Sequence, residues 1–407
     1  MNVRMLAVLL LFSLGLGAQQ TAEAPAAKDA RARALRLATW NLYNLFDHVD
    51  EPDRPDEGTP PKNRFDVAET ARMISALNAD VLGVEEVENR RVLEALNREL
   101  PKPYPYVELL EGNDHRGIDV GILSRFPIVE ACSHRLRPLD DMHRFARDFP
   151  VFRIRLAKGE EIGVGVVHFK SKRGKKKVSD AWRRAEAEGA RRVLAEIRAR
   201  EPKLPLIVMG DFNDTRDATT LAPLMTWLRD QTAKIPVEQR VTFPRGKKGE
   251  QIDFILTTPD WKAIAAGIVV NPDSPSDHRP VWADFPLDFD LARPAVPMVM
   301  RGFNAPPVPR IDAHELEKLR ARLLQSVMLV GTVTAVHRSR SGRSATLNFD
   351  ADYRKAAVAY VPALAMARFP NLDTLVGKKV IIESPVSLYK GQPQVTLTRP
   401  KQLRVLP

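Results

Sequence analysis

Acidic, amide and imidazole side chains recur where short apolar runs begin or end, throughout roughly the first two thirds of the chain. The set comprises Asn41, Glu85, Glu86, His168, Asp211, Asn213, Asp277 and His278. Strand ends deliver side chains to one rim of a sheet, so the recurrence predicts a shared site. Taken singly, each residue is better explained as a turn cap, a core histidine or an Asx turn. The prediction therefore rests on the combination.

This combination suits metal-assisted hydrolysis of a phosphodiester. Carboxylate and amide oxygens are good ligands for Mg²⁺ or Ca²⁺ and poor ones for Zn²⁺. Hydrolysis needs neutralised phosphate charge, an activated water and a protonated leaving group. Two histidines and several carboxylates supply these needs, and the sequence contains neither a serine elbow nor a phosphate-cradling glycine loop.

Short strands alternate with helices in the part of the chain that carries these residues. Predicted strands are Leu35–Leu42, Val81–Val87, Val120–Ser124, Val151–Leu156, Ile162–His168, Leu206–Met209, Ile252–Leu256 and Val281–Phe285. Apolar residues at three- and four-residue spacing predict helices at Phe65–Leu77, with Asn63 as N-cap, and at Asp180–Arg200. The mixture predicts an α/β domain whose sheets are covered by helices.

The tail has a different pattern after the proline-rich segment Arg293–Arg310. A helix is predicted at Ala313–Gln325, with hairpin turns at Ser341-Gly342 and Lys390-Gly391. Short strand-like runs occur at Val327–Val336, Ala345–Asp350, Ala356–Val361, Lys378–Ser384 and Gln394–Leu397. Five short strands in about a hundred residues predict a small all-β barrel.

The N-terminus reads as an export signal. Met1–Ala18 carries the charged Arg4, an apolar run and small residues, although Leu16 fits the cleavage rule poorly and leaves an uncleaved anchor as the alternative. The predicted divisions are a signal peptide (1–18), a flexible leader (19–34), a catalytic domain (35–287), a linker (288–312) and a barrel domain (313–407). We therefore expect an exported protein, periplasmic or extracellular, without integral membrane association after cleavage.

The chain is basic, with a formal net charge of +11. Residues 310–407 hold 16 Lys and Arg against 7 Asp and Glu, which gives this segment a net charge of +9. Cationic residues also follow His168 directly and precede Asp253: Lys170, Lys172, Arg173, Lys175, Lys176 and Lys177, then Arg245, Lys247 and Lys248. Such charges neutralise phosphates and predict a nucleic-acid partner, whereas solvated lysine loops are the alternative.

Six motifs in order resemble the endonuclease/exonuclease/phosphatase superfamily. They are Thr39-Trp40-Asn41, Gly83-Val84-Glu85-Glu86, Ile122-Leu123-Ser124-Arg125-Phe126-Pro127-Ile128, Gly210-Asp211-Phe212-Asn213-Asp214, Ile252-Asp253-Phe254 and Ser276-Asp277-His278-Arg279-Pro280. The resemblance covers about Leu35–Phe285 and implies a four-layered α/β sandwich. Its site would lie at the rim where strand ends meet.

The resemblance also implies roles for matching residues. Asn41 and Glu86 would hold the divalent metal, with Asp277 close to it. The metal would be Mg²⁺, with Ca²⁺ or Mn²⁺ as alternatives. Asp211 would position or activate the attacking water, and Asn213 would bind the scissile phosphate.

His278 would act in acid–base catalysis, oriented by Asp253. His168 resembles the second histidine of the deoxyribonuclease I branch and would protonate the leaving oxygen. Arg147 is similar in position to a phosphate-contacting arginine of that branch, with Lys170, Lys172 and Arg173 as further substrate contacts. Glu85 departs from the pattern, because many members carry glutamine there.

The tail, from Gly331-x-Val333 through Gly391-x-Pro393, resembles the oligonucleotide-binding barrel appended to some bacterial nucleases. Tyr353, Tyr360 and Tyr389 would stack on bases or pack the barrel. The sequence thus predicts an exported divalent-metal-dependent endonuclease acting on DNA, with RNA as a further substrate. A sphingomyelinase-like phosphodiesterase and a noncatalytic nucleic-acid-binding protein are the alternatives. DNA against RNA preference, endo or exo attack and oligomeric state stay open.

Overall fold

A computed structural model of the 407-residue chain describes residues 34–49, 58–245, 248–287 and 308–407. The predicted signal peptide, nearly all of the leader and linker residues 288–307 lie outside these ranges. Residues 310–312, which the linker prediction included, form a strand. Among the described helices, none combines the length and the hydrophobicity needed to cross a bilayer.

Two six-stranded sheets build the N-terminal domain. In spatial order, the first sheet contains β13 (Ala265–Ile268), β14 (Val281–Pro286), β1 (Ala34–Leu45), β2 (Val81–Val87), β4 (Asp119–Ser124) and β3 (Tyr106–Leu110). The second contains β5 (Ile128–Cys132), β6 (Val151–Arg155), β7 (Glu161–His168), β8 (Leu206–Asp211), β12 (Asp253–Thr257) and β9 (Arg229–Asp230). A separate hairpin pairs β10 (Phe243–Arg245) with β11 (Lys248–Glu250). All eight strands predicted for this domain are confirmed.

The sheets pack face to face because both faces of their central strands are apolar. In β1, Leu35 and Leu37 join the core between the sheets, whereas Trp40 joins the core beneath the helices. In β8, Met209 faces the first sheet and Val208 faces away from it. Alternation of this kind buries a strand on both sides. The result is a helix–sheet–sheet–helix arrangement.

Four helices accompany the sheets: α1 (Arg64–Leu77), α2 (Arg90–Arg98), α3 (Lys176–Arg200) and α4 (Ala222–Met225). The predicted N-cap of α1 is confirmed, since the Asn63 side chain accepts from the backbone N–H groups of Phe65 and Asp66. Helix α3 starts four residues before its predicted start. Its first turn is lysine-rich and lacks a side-chain cap, so the usual start signal was absent from the sequence.

The C-terminal domain is one sheet whose strands are β15 (Arg310–Asp312), β16 (Ser326–Thr332), β20 (Lys379–Tyr389), β21 (Gln392–Thr396), β19 (Val358–Val361), β18 (Ala345–Asn348) and β17 (Ala335–Arg338), with β22 (Leu403–Val405) also paired to β20. Four of the five predicted strand-like runs are confirmed as strands, whereas the run Val327–Val336 divides into β16 and β17 at Val333 and Thr334. Within residues 308–407 the strand pairing does not close into a barrel. The predicted helix Ala313–Gln325 is too long, because only α5 (Leu316–Arg320) is helical.

Buried polar contacts join the two domains at the start of α1. The Asp66 carboxylate accepts from Arg399 Nε at 2.6 Å and from Thr398 Oγ1 at 2.6 Å. Asn63 Nδ2 also donates to Thr398 Oγ1, at 2.8 Å. Asp66 and Arg399 are both buried, so each leaves a buried charge unpaired if the other is removed. The contact therefore fixes how the C-terminal domain sits beside the rim of the sheets.

Candidate active site

Two irregularities in adjacent parallel strands turn Asn41 and Glu86 toward each other. The pairing of β1 with β2 shifts register after Asn41 and after Glu85. Backbone φ is positive at Tyr43 (55°), Asn44 (53°) and Glu86 (60°). Such left-handed residues are costly, and a bulge re-aims the side chain that it carries. Asn41 Nδ2 consequently lies 3.3 Å from Glu86 Oε1, and Asn44 N donates to Glu86 Oε2 at 3.0 Å.

The second sheet contributes three side chains at one end. Strand β7 runs parallel to β8 with His168 opposite Asp211, and β12 runs antiparallel with Asp253 opposite Asp211. Gly210 allows this close pairing. It has φ of 138°, and a Cβ there would lie 2.0 Å from the Val167 carbonyl oxygen. Only glycine fits that position without moving β7 away from β8.

The loop that carries His278 is hydrogen-bonded to β1. Ser276 Oγ donates to the Asn41 carbonyl at 2.7 Å, and Trp40 Nε1 donates to the His278 carbonyl at 3.1 Å. Nδ1 of His278 lies 3.0 Å from both carboxylate oxygens of Asp253. A carboxylate at Nδ1 leaves Nε2 as the nitrogen that faces the site.

Asp211 is the centre of the constellation. Its Oδ2 lies 3.3 Å from Asn41 Nδ2 and 3.2 Å from Asn213 Nδ2. The same oxygen is 3.5 Å from His168 Nε2 and 3.8 Å from His278 Nε2. Asn213 has φ of 53°, and its backbone N–H donates to Asp211 Oδ1 at 2.8 Å. The structure thus brings together six of the eight side chains that the sequence predicted to meet: Asn41, Glu86, His168, Asp211, Asn213 and His278.

The two histidines have opposite electrostatic settings. Burial, reinforced by Arg147 and His278, holds the pKa of His168 well below its usual value. Burial also acts to lower the pKa of His278, but the carboxylates of Asp253 and Asp211 overcome it and raise that pKa well above its usual value. The surroundings of His168 therefore favour its neutral form, whereas those of His278 favour its protonated form.

The carboxylates are crowded in a way that favours a cation. Burial, together with neighbouring carboxylates, raises the pKa of Asp211 to about 7 and that of Asp277 to about 6. Burial also raises the pKa of Glu85 well above its usual range. Asp277 Oδ1 is buried and makes no hydrogen bond in the described part of the chain. Oxygen donors of this kind fit a hard divalent cation.

Asp277 and Glu86 are both electrostatically close to Tyr43, where burial and these two carboxylates raise the pKa of the phenol to about 12. A second group of potential ligand atoms comprises Asp211, Asp253 and His278, within 4.8 Å of one another. Because His278 Nδ1 is already paired with Asp253, we consider the oxygen-rich group of Asn41, Glu86 and Asp277 the better fit for Mg²⁺ or Ca²⁺.

Comparison with known proteins decides the family. The model of the Endonuclease/Exonuclease/phosphatase family matches residues 38–278, a span that begins just before Asn41 and ends at His278. The chain belongs to this family. No curated protein matches the chain.

Three solved structures are among those similar to the chain. An endonuclease/exonuclease/phosphatase family protein from Bacteroides thetaiotaomicron is 19% identical, over 63% of this chain and 95% of that one, with a TM-score of 0.47. A mannosyl-6-phosphatase from the same organism is 19% identical over 62% and 99%, with a TM-score of 0.45. The human nocturnin catalytic domain is 17% identical over 62% and 94%, with a TM-score of 0.44. These likenesses do not select a substrate.

Arg147 lies beside the candidate site and is buried rather than open to solvent. Its Nε pairs with Asp114 Oδ2 at 3.0 Å, and its Nη1 donates to the Phe169 carbonyl at 3.1 Å. The same carbonyl accepts from Asn213 Nδ2 at 3.0 Å. Arg147 therefore supports the segment beside Asn213, and its predicted contact with substrate stays a prediction.

The cations after His168 are mostly exposed. Lys172 Nζ lies 3.3 Å from Asp214 Oδ1 and 3.2 Å from Glu250 Oε1, and Lys170 Nζ lies 5.6 Å above the Trp182 ring. Arg173 is electrostatically close to Tyr43 at the rim. Of the second basic segment, residues 246 and 247 lie outside the described residues.

Sequence reasoning missed two supporting residues. Thr39 Oγ1 donates to Glu85 Oε1 at 2.6 Å. Glu186, on α3, accepts from the backbone N–H groups of Ala146 and Lys170 at 2.8 and 2.7 Å, and burial raises its pKa to about 7. Glu186 lies on the apolar face of α3, and this position in the sequence could have indicated its role, since a buried acid needs hydrogen-bond partners.

Proposed function

We propose that this chain is an exported, divalent-metal-dependent endonuclease that hydrolyses phosphodiester bonds in DNA, with RNA as a further substrate. The observation that carries the proposal is the arrangement around the Phe169 carbonyl. The Phe169 carbonyl accepts from the side chain of Asn213, the predicted phosphate ligand. The cationic segment 170–177, which is mostly exposed, begins at the residue after Phe169. Fixed cations beside a phosphate site favour a polyanionic substrate.

Asn41, Glu86 and Asp277 would hold the cation: Mg²⁺, with Ca²⁺ or Mn²⁺ as alternatives. When bound, it would neutralise charge on the phosphate. Asp211 orients and deprotonates the attacking water. His278 Nε2 lies 3.8 Å from Asp211 Oδ2. Asp253 fixes the tautomer of His278, and Asn213 holds a non-bridging phosphate oxygen.

His168 Nε2 lies 3.5 Å from Asp211 Oδ2 and 3.9 Å from Glu86 Oε1. A neutral imidazole there relays a proton between the site carboxylates and the leaving oxygen. The leaving group needs that proton because an alkoxide is a poor leaving group at neutral pH.

The C-terminal domain is, in this proposal, an oligonucleotide-binding-fold-like domain. Strand order supports it: β19 and β21 are parallel, and all the other pairs among β16–β21 are antiparallel. Strands β16 and β17 are separated only by Val333 and Thr334. One bent segment thus pairs at one end with β20 and at the other with β18. The tail charge of +9 suits a nucleic-acid partner.

Export rests on Met1–Ala18, outside the described residues. Cleavage of that segment would release the enzyme to the periplasm or the medium. Fractionation of cells followed by N-terminal sequencing would test it. A mature protein that still begins at Met1 would contradict the proposal.

A substrate panel tests the activity. Supercoiled plasmid, single-stranded RNA, sphingomyelin vesicles and sugar phosphates are each incubated with Mg²⁺, Mn²⁺ or Ca²⁺ and with chelator. We expect metal-dependent nicking, then linearisation, of plasmid by the wild type and none by His278→Ala. Turnover confined to the vesicles or sugar phosphates, or full activity in chelator or in His278→Ala, would overturn it.

A further inference from the structure

Four of the six tyrosines in the chain line two neighbouring cavities, one of which includes Tyr43 and Asn44 beside the candidate active site. A cavity of about 260 Å³ lies between the domains and is lined by Tyr43 and Asn44 from the first domain and by Tyr360 and Gln394 from the second. A second cavity of about 910 Å³ on the C-terminal domain shares Tyr360 and Gln394 with the first. The two cavities therefore adjoin at these two side chains, and we name them together the tyrosine track.

The first end of the track adjoins the proposed metal ligands. Asn44 donates its backbone N–H to Glu86, and Asn41 Oδ1 accepts from the Tyr43 N–H at 3.0 Å. Tyr43 is 37% exposed. A group that stacks on Tyr43 would thus lie beside the reacting centre.

The far end of the track is open and basic. Tyr353 is 52% exposed and Tyr389 is 59% exposed, and both line the second cavity. Each has a cation over its ring, Arg354 at 5.6 Å and Lys390 at 5.5 Å. Tyr389 and Lys390 form the tip of the β20–β21 hairpin, where Lys390 has φ of 52° and Gly391 has φ of 79°. The two-residue turn holds them at the cavity edge.

Tyr43 has the same pairing at the near end, with Lys62 Nζ 5.6 Å from its ring. Lys62 also donates to the Tyr43 and Pro275 carbonyls, at 2.9 and 3.3 Å. Aromatic faces with adjacent cations are a chemistry that suits unpaired bases joined by phosphates. A duplex hides its base faces, and an acidic peptide lacks them.

We propose that the tyrosine track binds a single-stranded segment of the substrate, with Tyr43 and Tyr360 nearest the scissile bond and Tyr353 and Tyr389 beyond them. This inference rests on the proposed nuclease function and adds the conformation of its substrate. The buried Asp66–Arg399 pair supports it, because it holds the two halves of the track in fixed relation.

Binding is measured first on the full chain in chelator, so that no strand is cut. Fluorescence anisotropy follows labelled (dT)20 and a blunt 20-base-pair duplex. We expect (dT)20 to bind more tightly. Each of Tyr353→Ala and Tyr389→Ala should weaken (dT)20 about fivefold or more, because stacking on an aromatic ring stabilises each bound base. The Tyr→Phe variants keep the ring and should bind like the wild type.

Tyr106→Ala is the matched control. Tyr106 is 37% exposed, as Tyr43 is, but it lies on β3 and does not line the track. Lys390→Ala should lower the slope of log affinity against log salt by about 0.7, the value for one phosphate contact on a single strand. Polyglutamate should compete poorly with (dT)20.

A second measurement uses only the wild-type protein, so its result does not depend on whether the variants fold. Photocrosslinking of a bromouracil-substituted single strand to the wild type, mapped by mass spectrometry, should label the tyrosines of the track. Label confined to other surfaces would overturn the proposal. So would Tyr353→Ala and Tyr389→Ala that bind (dT)20 like Tyr106→Ala, or polyglutamate that competes as well as DNA.

The two proposals fail differently. If the wild type cleaves plasmid but the tyrosine variants bind like the control, the track is wrong and the nuclease function stands. If the wild type binds (dT)20 through these tyrosines yet cuts no nucleic acid with any metal, the nuclease function is wrong and the track stands as a binding site.

Discussion

Replacing Asp253 by asparagine tests the contact that orients His278. Both Asp253 oxygens lie 3.0 Å from His278 Nδ1, and both residues are buried. A hydrogen bond to a charged group contributes about 1.5–3 kcal/mol, and a correctly held acid or base contributes about 10²- to 10⁴-fold in rate. Asparagine keeps the size but loses the charge. We therefore expect kcat to fall by about 10²- to 10⁴-fold.

The pH profile separates this role from simple damage. Asp253 is the leading carboxylate that raises the pKa of His278 against the effect of burial. Its removal lets that pKa fall, so the limb of the pH–rate profile that reports His278 moves to lower pH. The assay is hydrolysis of bis(p-nitrophenyl) phosphate with Mg²⁺ between pH 5 and pH 9, with circular dichroism as the check on folding.

Asp284→Asn is the matched control. Asp284 is also a buried aspartate, and it accepts from Arg36 Nε and Nη2 at 2.7 Å at the opposite end of β1 from Asn41. We expect it to lower stability and to keep the wild-type pH profile. An Asp253→Asn enzyme within threefold of wild-type kcat, with an unshifted profile, would refute the reasoning.

Three further substitutions have defined outcomes. Glu186→Gln turns an amide N–H toward one of two buried backbone N–H groups, which should lower the free energy of unfolding by about 1–3 kcal/mol. Urea unfolding should show this loss, and an unchanged midpoint would contradict it. Asp66→Asn leaves the buried Arg399 cation unpaired at a cost of about 3–5 kcal/mol, so calorimetry should show unfolding at lower temperature. Burial raises the pKa of Glu85 in the folded state, so the folded chain keeps this proton at pH values where the unfolded chain has lost it. The free energy of unfolding therefore falls as pH rises from the unfolded pKa toward the folded pKa. Glu85→Gln should keep activity, and its Tm advantage in chelator should grow from pH 5 to pH 8; a constant difference would count against a protonated Glu85.

Periodicity located the sheets because the central strands are apolar on both faces. Strand β2 was predicted with its observed bounds, Val81–Val87. Short polar elements were missed, notably α2, of whose nine residues four are charged and whose start depends on Asn89. Their structure comes from tertiary packing, which overrides weak local preferences.

The site residues were predictable because strand ends carry them and ordered motifs match a family. Their mutual contacts were not, since the bulges at Tyr43–Asn44 and at Glu86 have no glycine or proline to announce them. Glu186 was hidden within a helical pattern, 16 residues from the nearest backbone group that it holds. Long-range pairing of this kind is set by the fold and not by local sequence.

Asp211→Asn is the decisive test of metal-dependent hydrolysis at this site. The measurement is the rate of nicking of supercoiled plasmid in Mg²⁺, beside wild type with and without chelator, with (dT)20 affinity measured on the same samples. We expect chelator to abolish wild-type nicking, and we expect Asp211→Asn to lose about 10²- to 10⁴-fold in rate while its (dT)20 affinity is kept. Undiminished nicking by Asp211→Asn, or by the wild type in chelator, would contradict it.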